Sequence, residues 1–404
     1  MIIAIIGAGA SGMAAALAAA ENPNNQVLLL ERQARVGRKL QATGNGRCNL
    51  TNLHASAPHY HGEMPQFVTP ALERYGVDNT LKWFADLGLY TVAEDSGRVY
   101  PYSDQANSVV DVLRFALEKP NIQLLTGFEV NIIRSLSPGF SVENGEERIF
   151  CDKLIIACGG LAGSKLGGTL SGYKFLQKFG HHCTKLRPTL VQIKSDWGAC
   201  ASLKGVRANC RAEIYCNERL HSASTGELQF TEYGLSGPVI FEISRDVCAQ
   251  RGNWVCKLDL LPELPQQQLL QFLQKKRGSA LPAEELLTGI LHNRLGRVLV
   301  KEAGISLHAP IVQLEDWELE KVSELVKCLP IGLNEPMGMD AAQVTAGGIL
   351  TSDFHPETME SRLLPGLYAC GEVLDVDGDC GGYNLQWAWS SGRCAGESAG
   401  KETL

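Results

Sequence analysis

The chain has 404 residues, 45% apolar and 20% charged, which fits a globular protein with a large buried core and excludes a disordered or fibrous one. Its 37 Lys and Arg against 44 Asp and Glu leave a net charge of −7, so a globally basic nucleic-acid binder is excluded as well. The 13 Cys are odd in number, contain no CxxC and lack zinc-site spacing, which speaks against a disulfide framework and for a reducing cytoplasm.

The opening MIIAIIGAGASGMAAALAAA is apolar enough to imitate a signal peptide, but it has no basic start and Gly7, Gly9 and Gly12 interrupt it. No other run approaches the ~20 apolar residues of a membrane helix. The expectation is a cytoplasmic protein with no membrane partner. Ile2–Ile6 reads as a parallel strand buried on both faces. It runs into Gly7-Ala8-Gly9-Ala10-Ser11-Gly12, an Ala-rich helix, a turn at residues 22–25 and a second strand at Val27–Leu30. Glu31 follows, 19 residues after Gly12. This is G-x-G-x-x-G in its strand–turn–helix setting, with the acid at the distance that suits a ribose. Gly7 permits the tight turn, Gly9 the approach of a pyrophosphate, and Gly12 close helix–strand packing. The helix N-terminus offers free N–H groups and positive dipole to phosphate. Glu31 would repel a 2′-phosphate, which argues against NADP as the resident nucleotide.

RVGRKLQATGNGRCNLTN follows at residues 35–52. Arg38 and Lys39 can neutralise a pyrophosphate, and Gly44-Asn45-Gly46 is a small-residue loop where backbone can lie against a flat ring. The next apolar strands come only near residues 122–133, an excursion that suits the long FAD molecule better than NAD. Phe140 to Cys158 reads as a hairpin with an Asn144-Gly145 turn, then a strand at Leu154–Ala157 ending in Cys158-Gly159-Gly160. Arg32 and Gly159 are counted with the cofactor residues.

From residue 188 the texture changes. Residues 188–262 hold alternating runs (LVQIK, RAEIYCN, WVCKLDL) that read as a small antiparallel β-domain or barrel, and residues 263–342 read as mainly helical. Residues 185–220 carry seven basic side chains, Lys185, Arg187, Lys194, Lys204, Arg207, Arg211 and Arg219, against Asp196, Glu213 and Glu218. Two readings are open: a surface for RNA phosphates, or a solvated face, since no aromatic residues interleave the charges. Leu367-Tyr368-Ala369-Cys370-Gly371-Glu372 is a further strand ending in Gly-acid, and Gly381-Gly382-Tyr383-Asn384 opens a helix from Leu385. A strand-end carboxylate suits a ribityl chain, and a helix start suits the flavin N1–C2=O edge, which gains negative charge on reduction. The expected fold is therefore α/β: a doubly wound, Rossmann-like FAD-binding domain of glutathione-reductase type (1–187 and 343–404) with an inserted β-barrel plus helical substrate domain (188–342).

The strings GAGASG, GRKLQATGNGRCNLTN, TAGGI and GLYACGEVLDVDGDCGGYNLQWAWSSGRCAG resemble those of the BaiN/RdsA (YhiN-like) flavoproteins, and GRVYPYSDQA and ELQFTEYGLSGP extend the likeness over almost the whole chain. The resemblance implies non-covalent FAD held by Ser11, Glu31, Arg38, Lys39, Gly46, Val130, Gly371, Glu372, Asn384 and Leu385. It also implies reduction of an activated C=C bond, with one branch forming dihydrouridine in large-subunit ribosomal RNA and another acting on bile-acid steroids. A third branch resembles an aminoacetone-type amine oxidase. A non-catalytic flavin-binding redox sensor is the reading from a different class.

Candidate chemistry is sparse. Cys48 could act as an acid or touch the flavin, and the competing reading is a small buried Cys. Tyr383 could donate a proton. Tyr100, Ser103 and Gln105 could line the substrate face. His54, His59 and His61 lack an accompanying acid or Cys cluster, so a polar surface loop is expected and no metal. No second GxGxxG marks a resident nicotinamide domain, so either NAD(P)H binds transiently against the flavin as electron donor or the electrons come from another reductant.

Overall fold

The structure, a computed structural model, describes residues 1–401. The chain divides into two compact units, Met1–Arg187 with the stretch from Ala342 onward, and Pro188–Ala341.

The first unit is built on a parallel five-stranded sheet in the order Leu367–Ala369, Lys153–Ile156, Ile2–Ile6, Gln26–Glu31, Ile122–Thr126. The outermost position of the first-listed strand means that the two ends of the chain share one sheet. Ile3 and Ile5 in the central strand and Leu29 beside it are fully buried, each contributing roughly 1.5–3 kcal/mol. A glycine stripe decides how the helices lie. The glycine-loop helix, Ala10–Ala19, packs against the last helix, Tyr383–Gly400. A Cβ at Gly392 would overlap the Ser11 carbonyl oxygen, and one at Gly396 would overlap that of Ala15. The alanines of the first helix and the glycines of the last thus let two backbones touch, which is why the N-terminal helix carries so little bulk.

A three-stranded antiparallel layer, Ile132–Ser135, Phe140–Glu143 and Arg148–Cys151, completes the expected hairpin. Asn144 Oδ1 closes its turn by accepting from the N–H groups of Glu146 (2.9 Å) and Glu147 (2.7 Å). Val130 departs from expectation. The strand ends at Thr126, Gly127 turns at φ 73°, and Val130 lies in the loop before Ile132.

The second unit carries a six-stranded antiparallel sheet ordered Ile193–Lys194, Gly234–Ser236, Arg219–Thr231, Arg207–Cys216, Trp254–Asp259, Leu329–Leu333. It curls until Lys194 exchanges backbone hydrogen bonds with Asn334 (2.8 Å) and Glu335 (3.1 Å), a half-barrel. Two elements differ from the sequence reading. Pro238–Ala249 is a helix inside the β-rich stretch, and Leu329–Leu333 is a strand inside the helical one. Within the stretch read as mainly helical, residues 283–285 form only a 3-10 turn and the next α-helix begins at Asn293, where His292 Nδ1 accepts from the Arg294 N–H at 3.2 Å. No helix among the described residues is long and apolar enough to cross a membrane.

Candidate functional site

The first unit contains a cleft over the C-terminal ends of its parallel strands, where open α/β sheets bind ligands. Its empty space, with the open mouth included, is about 1340 Å³, and its lining runs from the glycine loop and Glu31 to Asn384 and Leu385 of the last helix.

The glycine loop forms one wall, and its glycines have separable duties. Gly7 has φ 105°, a region that favours glycine, and a Cβ there would sit 2.5 Å from the Ala157 carbonyl oxygen. Gly12 presses on the Gly7 carbonyl. A Cβ on Gly9 would meet nothing within 4 Å, although Gly9 lines the cleft. Gly159, across the cleft with φ 70°, is equally unobstructed. No side chain caps the first helix, so its first-turn N–H groups are available to a phosphate. Glu31 takes the Ala8 N–H on Oε2 and the Gln33 N–H on Oε1, both at 2.8 Å, which fixes the carboxylate at the loop.

Of the sequence-derived cofactor residues, the cleft brings together Gly7, Gly9, Ser11, Glu31, Arg32, Arg38, Lys39, Val130, Gly159, Glu372, Asn384 and Leu385. Val130 reaches it from a loop. Gly12, Gly46 and Gly371 do not line it. Gly371, at φ 75°, is held by a hydrogen bond from its N–H to Ser391 Oγ (3.0 Å), and a Cβ there would sit 2.5 Å from Ser11 Oγ. Gly46 belongs to a left-handed turn with Gly44 and Asn45. Lys39 Nζ and Glu372 Oε2 form an ion pair at 2.7 Å, and Glu372 Oε1 accepts the Thr345 N–H at 2.8 Å. Arg32 donates to the Gly167 carbonyl (2.9 Å) and Arg38 to Gln33 (2.8 Å) and the Lys165 carbonyl (3.1 Å).

The far end of the cleft meets the last helix. Gly381 and Gly382, at φ 121° and 104°, lead into Tyr383, and no side chain caps the helix. Asn384 folds back on the preceding turn: its Oδ1 accepts from the Gly378 N–H and its Nδ2 donates to the Gly378 carbonyl, each at 2.8 Å. Asn49 Oδ1, buried without a hydrogen-bond partner off the cleft, lies 2.9 Å from where a Cβ of Gly382 would be. Two uncapped helix starts and two glycines facing open space fit FAD lying between Glu31 and the last helix.

The proposed chemical residues fare unevenly. Cys48 is fully buried off the cleft, and burial pushes its thiol up to about 12, partly offset by a hydrogen bond with Thr43. Cys158 lines the cleft, but its thiol is likewise pushed by burial to about 12. Tyr383 is buried and stacks on His59 with ring centroids 4.6 Å apart. Tyr100, Ser103 and Gln105 lie off the cleft; Arg47 covers the Tyr100 ring at 3.9 Å and itself pairs with Glu94 and Asp104. His59 and His61 correct the surface-loop reading. Both reach Asp379, an acid 320 and 318 residues away in sequence, which sequence spacing had no means to reveal. The basic stretch 185–220 also changes character: Lys204 pairs with Glu232 (2.7 Å), Arg207 with Glu227 (3.4 Å) and Arg211 with Glu213 (3.1 Å).

Residues 1–398 match the model of the family described as HI0933-like protein Rossmann domain. The chain is 38% identical over 403 residues to the 3-dehydro-bile acid delta(4,6)-reductase of Clostridium scindens, covering 98% of each chain. It is 34% identical over 395 residues to the ribosomal RNA dihydrouridine synthase of Escherichia coli, covering 96% of this chain and 95% of the relative. Among solved structures, the 3-ketosteroid delta1-dehydrogenase of Sterolibacterium denitrificans shares the fold, with TM-score 0.50, 14% identity and coverage of 98% and 99%.

Proposed function

The chain belongs to the HI0933-like (BaiN/RdsA) family, and from that premise we propose that it reduces a C=C bond conjugated to a carbonyl group, with NAD(P)H as a transient donor. It is an FAD-binding oxidoreductase. Bound FAD supplies the hydride acceptor and donor; the chain's own residues do the rest. The first-turn N–H groups after Gly9 would hold its pyrophosphate, with Arg38 and Lys39 as countercharges, Glu31 would receive its ribose hydroxyls, and the start of the last helix would favour the negative charge the ring gains on reduction.

The observation that carries this reading is the cleft, with its two uncapped helix starts and with Gly9 and Gly159 facing open space. The printed names of the two curated relatives share one chemistry. A delta(4,6) 3-oxo steroid and a uracil ring each present C=C conjugated with C=O, whose β-carbon accepts hydride. We take a small conjugated ketone as the substrate class. Glu232 and Glu227, outside the 185–220 stretch, pair with Lys204 and Arg207 and make that face less positive than its composition implies, which speaks against RNA phosphates there. Uridine in ribosomal RNA is the second reading, supported by the Escherichia coli relative.

Anaerobic mixing with NADH or NADPH should bleach the flavin. A 3-oxo-4,6-diene steroid should then restore its colour, and a uridine-containing fragment of large-subunit ribosomal RNA should not. Colour restored by the RNA alone would reverse the substrate assignment. A purified chain that neither carries nor takes up flavin would refute the whole reading.

A further inference from the structure

At its nucleotide end the cleft is ringed by chain, and one arc of the ring is closed only by side chains. In the parallel sheet Ile2–Ile6 lies between Lys153–Ile156 and Gln26–Glu31, so the glycine loop that follows it has a further loop on either side. Beyond Lys153–Ile156 the chain passes Gly159 into a glycine-rich loop, and beyond Gln26–Glu31 it reaches Arg32. Arg32 Nη2 donates to the Gly167 carbonyl at 2.9 Å and reaches that of Gly168 at 3.4 Å. Arg38 Nη2 donates to the Lys165 carbonyl at 3.1 Å. The loop after one flanking strand is thus tied to residues after the other, across the end of the strand between them. Gly9, Arg32, Arg38, Leu166, Gly167 and Gly168 all line the one cleft.

The glycine-rich loop is a compact piece. The Thr169 N–H closes its base on the Gly160 carbonyl at 3.0 Å, and the Ala162 N–H fastens that base to Thr345 Oγ1 at 2.9 Å. The tip, residues 163–168, closes on itself. The N–H groups of Leu166 (2.8 Å) and Gly168 (3.1 Å) both donate to the Gly163 carbonyl, and that of Gly167 donates to Ser164 (3.1 Å). Gly163 and Gly167, at φ 69° and 114°, make turns that favour glycine on either side of Ser164, Lys165 and Leu166, which are exposed. The rest of the ring is covalent chain or sheet ladder. The arginine hydrogen bonds, made by side chains at partly exposed positions, are the links that open at least cost.

We propose that the tip is a lid over the glycine loop, latched by Arg32 and Arg38, and that opening of this latch governs how fast the cofactor enters and leaves; this rests on the cleft being a flavin site. Every acceptor of the latch is a carbonyl of the chain itself, so the latch closes whether the cleft is empty or full. Its opening therefore limits exchange in both directions. Arg32 acts on the cofactor through the loop, as a positioning residue, and not as a ligand of phosphate or ribose.

Stopped-flow mixing of flavin-free protein with FAD, read by flavin fluorescence, gives the association rate, and dilution of the loaded protein gives the dissociation rate. Arg32→Met should raise both rate constants together, each about tenfold, and leave the dissociation constant within about threefold of wild type. Loss of a positive charge by itself would slow the association of an anionic cofactor, so faster association is the mark of a released latch. Gly168→Ala leaves Arg32 in place, but its methyl would fall 2.4 Å from the Leu161 carbonyl oxygen and 2.6 Å from that of Ala162, pushing the tip off its base. It should change the rates in the same direction, and it decides the matter should Arg32→Met not fold. Hydrogen exchange should find the Leu166 and Thr169 amides still protected in Arg32→Met, because the loop swings with its internal bonds intact. Faster dissociation alone, with the dissociation constant rising by the same factor, would make Arg32 a direct ligand and overturn the inference. Unchanged rates overturn it too, as does loss of amide protection, which would mean that the loop melts. A wild-type protein that takes up no FAD overturns the flavin reading, and this inference with it.

Discussion

Gly9 and Gly12 stand three residues apart in one motif, and the structure assigns them opposite consequences on substitution. Gly9 has φ −81° and ψ −168°, an extended conformation open to any residue, and a Cβ there meets no protein atom within 4 Å. Alanine is a poorer N-cap than glycine by about 0.5–1 kcal/mol. It also removes unfolded-state freedom, returning about 0.4–1 kcal/mol. The two nearly cancel, so Gly9→Ala should leave the stability of the flavin-free protein within about 0.5 kcal/mol of wild type. The added methyl stands in the cleft, however, where overpacking costs roughly 1–3 kcal/mol, or about 5–150-fold in flavin affinity. Gly12→Ala gains about 1 kcal/mol in helix propensity. Its methyl falls on the Gly7 carbonyl oxygen, with the Ala157 Cβ only 3.3 Å away, and Gly7 is anchored by its N–H to the Leu30 carbonyl at 2.8 Å. The turn has nowhere to move, so a net loss of about 2 kcal/mol is expected, a fall of roughly 4–8 °C in the melting temperature of the flavin-free unit. Thermal unfolding without flavin and fluorescence titration with FAD separate the two effects. If Gly9→Ala melts as early as Gly12→Ala, or binds FAD like wild type, the division of labour argued for the glycines is wrong.

Other positions give equally direct outcomes. Gly396→Leu should destabilise the first unit by 3 kcal/mol or more, on the order of the upper overpacking range, because the contact is with the backbone of Ala15; a melting temperature within error of wild type would mean the helices are not in backbone contact. Lys39→Met leaves Glu372 with only the Thr345 N–H and removes a countercharge from the cleft, so the FAD dissociation constant should rise about tenfold or more, with a shallower salt dependence. Burial raises the thiols of Cys48, Cys151, Cys158, Cys210, Cys370 and Cys394 from an ordinary value of 9.0 to about 12. A raised thiol pKa favours the folded state fully below the unfolded value, and that contribution drains away between about pH 9 and 12. The urea midpoint should therefore fall steadily above about pH 9, and a flat midpoint to pH 11 would show these thiols not to be desolvated.

How much of this was legible in the sequence depended on how local each signal is. The glycine loop, Glu31 and the Asn144 turn are short-range features whose chemistry is complete within a few residues, and they lie where the spacing placed them. Val130 reaches the cleft by a loop because Gly127 breaks the strand, a signal present in the sequence but outweighed by the apolar run. The helix Pro238–Ala249 was also readable. Gly237-Pro238 is a helix start, and Val239, Ile240, Ile243 and Val247 bury one face at helical spacing, but the alternating runs on either side masked it. Charge was the least transferable signal. Counting residues 185–220 alone omitted Glu227 and Glu232, which face the basic strand from its partner and from the turn beyond it.

The Asp379 cluster marks the physical limit of local reading, because its three side chains are joined only by strand pairing between opposite ends of the chain. The same holds for the cofactor cleft. The first helix offers its N-terminus to the cleft only because Gly392 and Gly396 let the last helix lie against it, and Gly371 has room beside Ser11 only because neither carries excess bulk there. Each helix start is open because no side chain caps it, which costs stability unless a ligand or water takes the free N–H groups. Glycine and alanine at these contacts contribute little hydrophobic burial of their own. Their effect is to bring two helix N-termini, more than 370 residues apart in sequence, to one cleft, and that placement, not any single side chain, makes the first unit a flavin site.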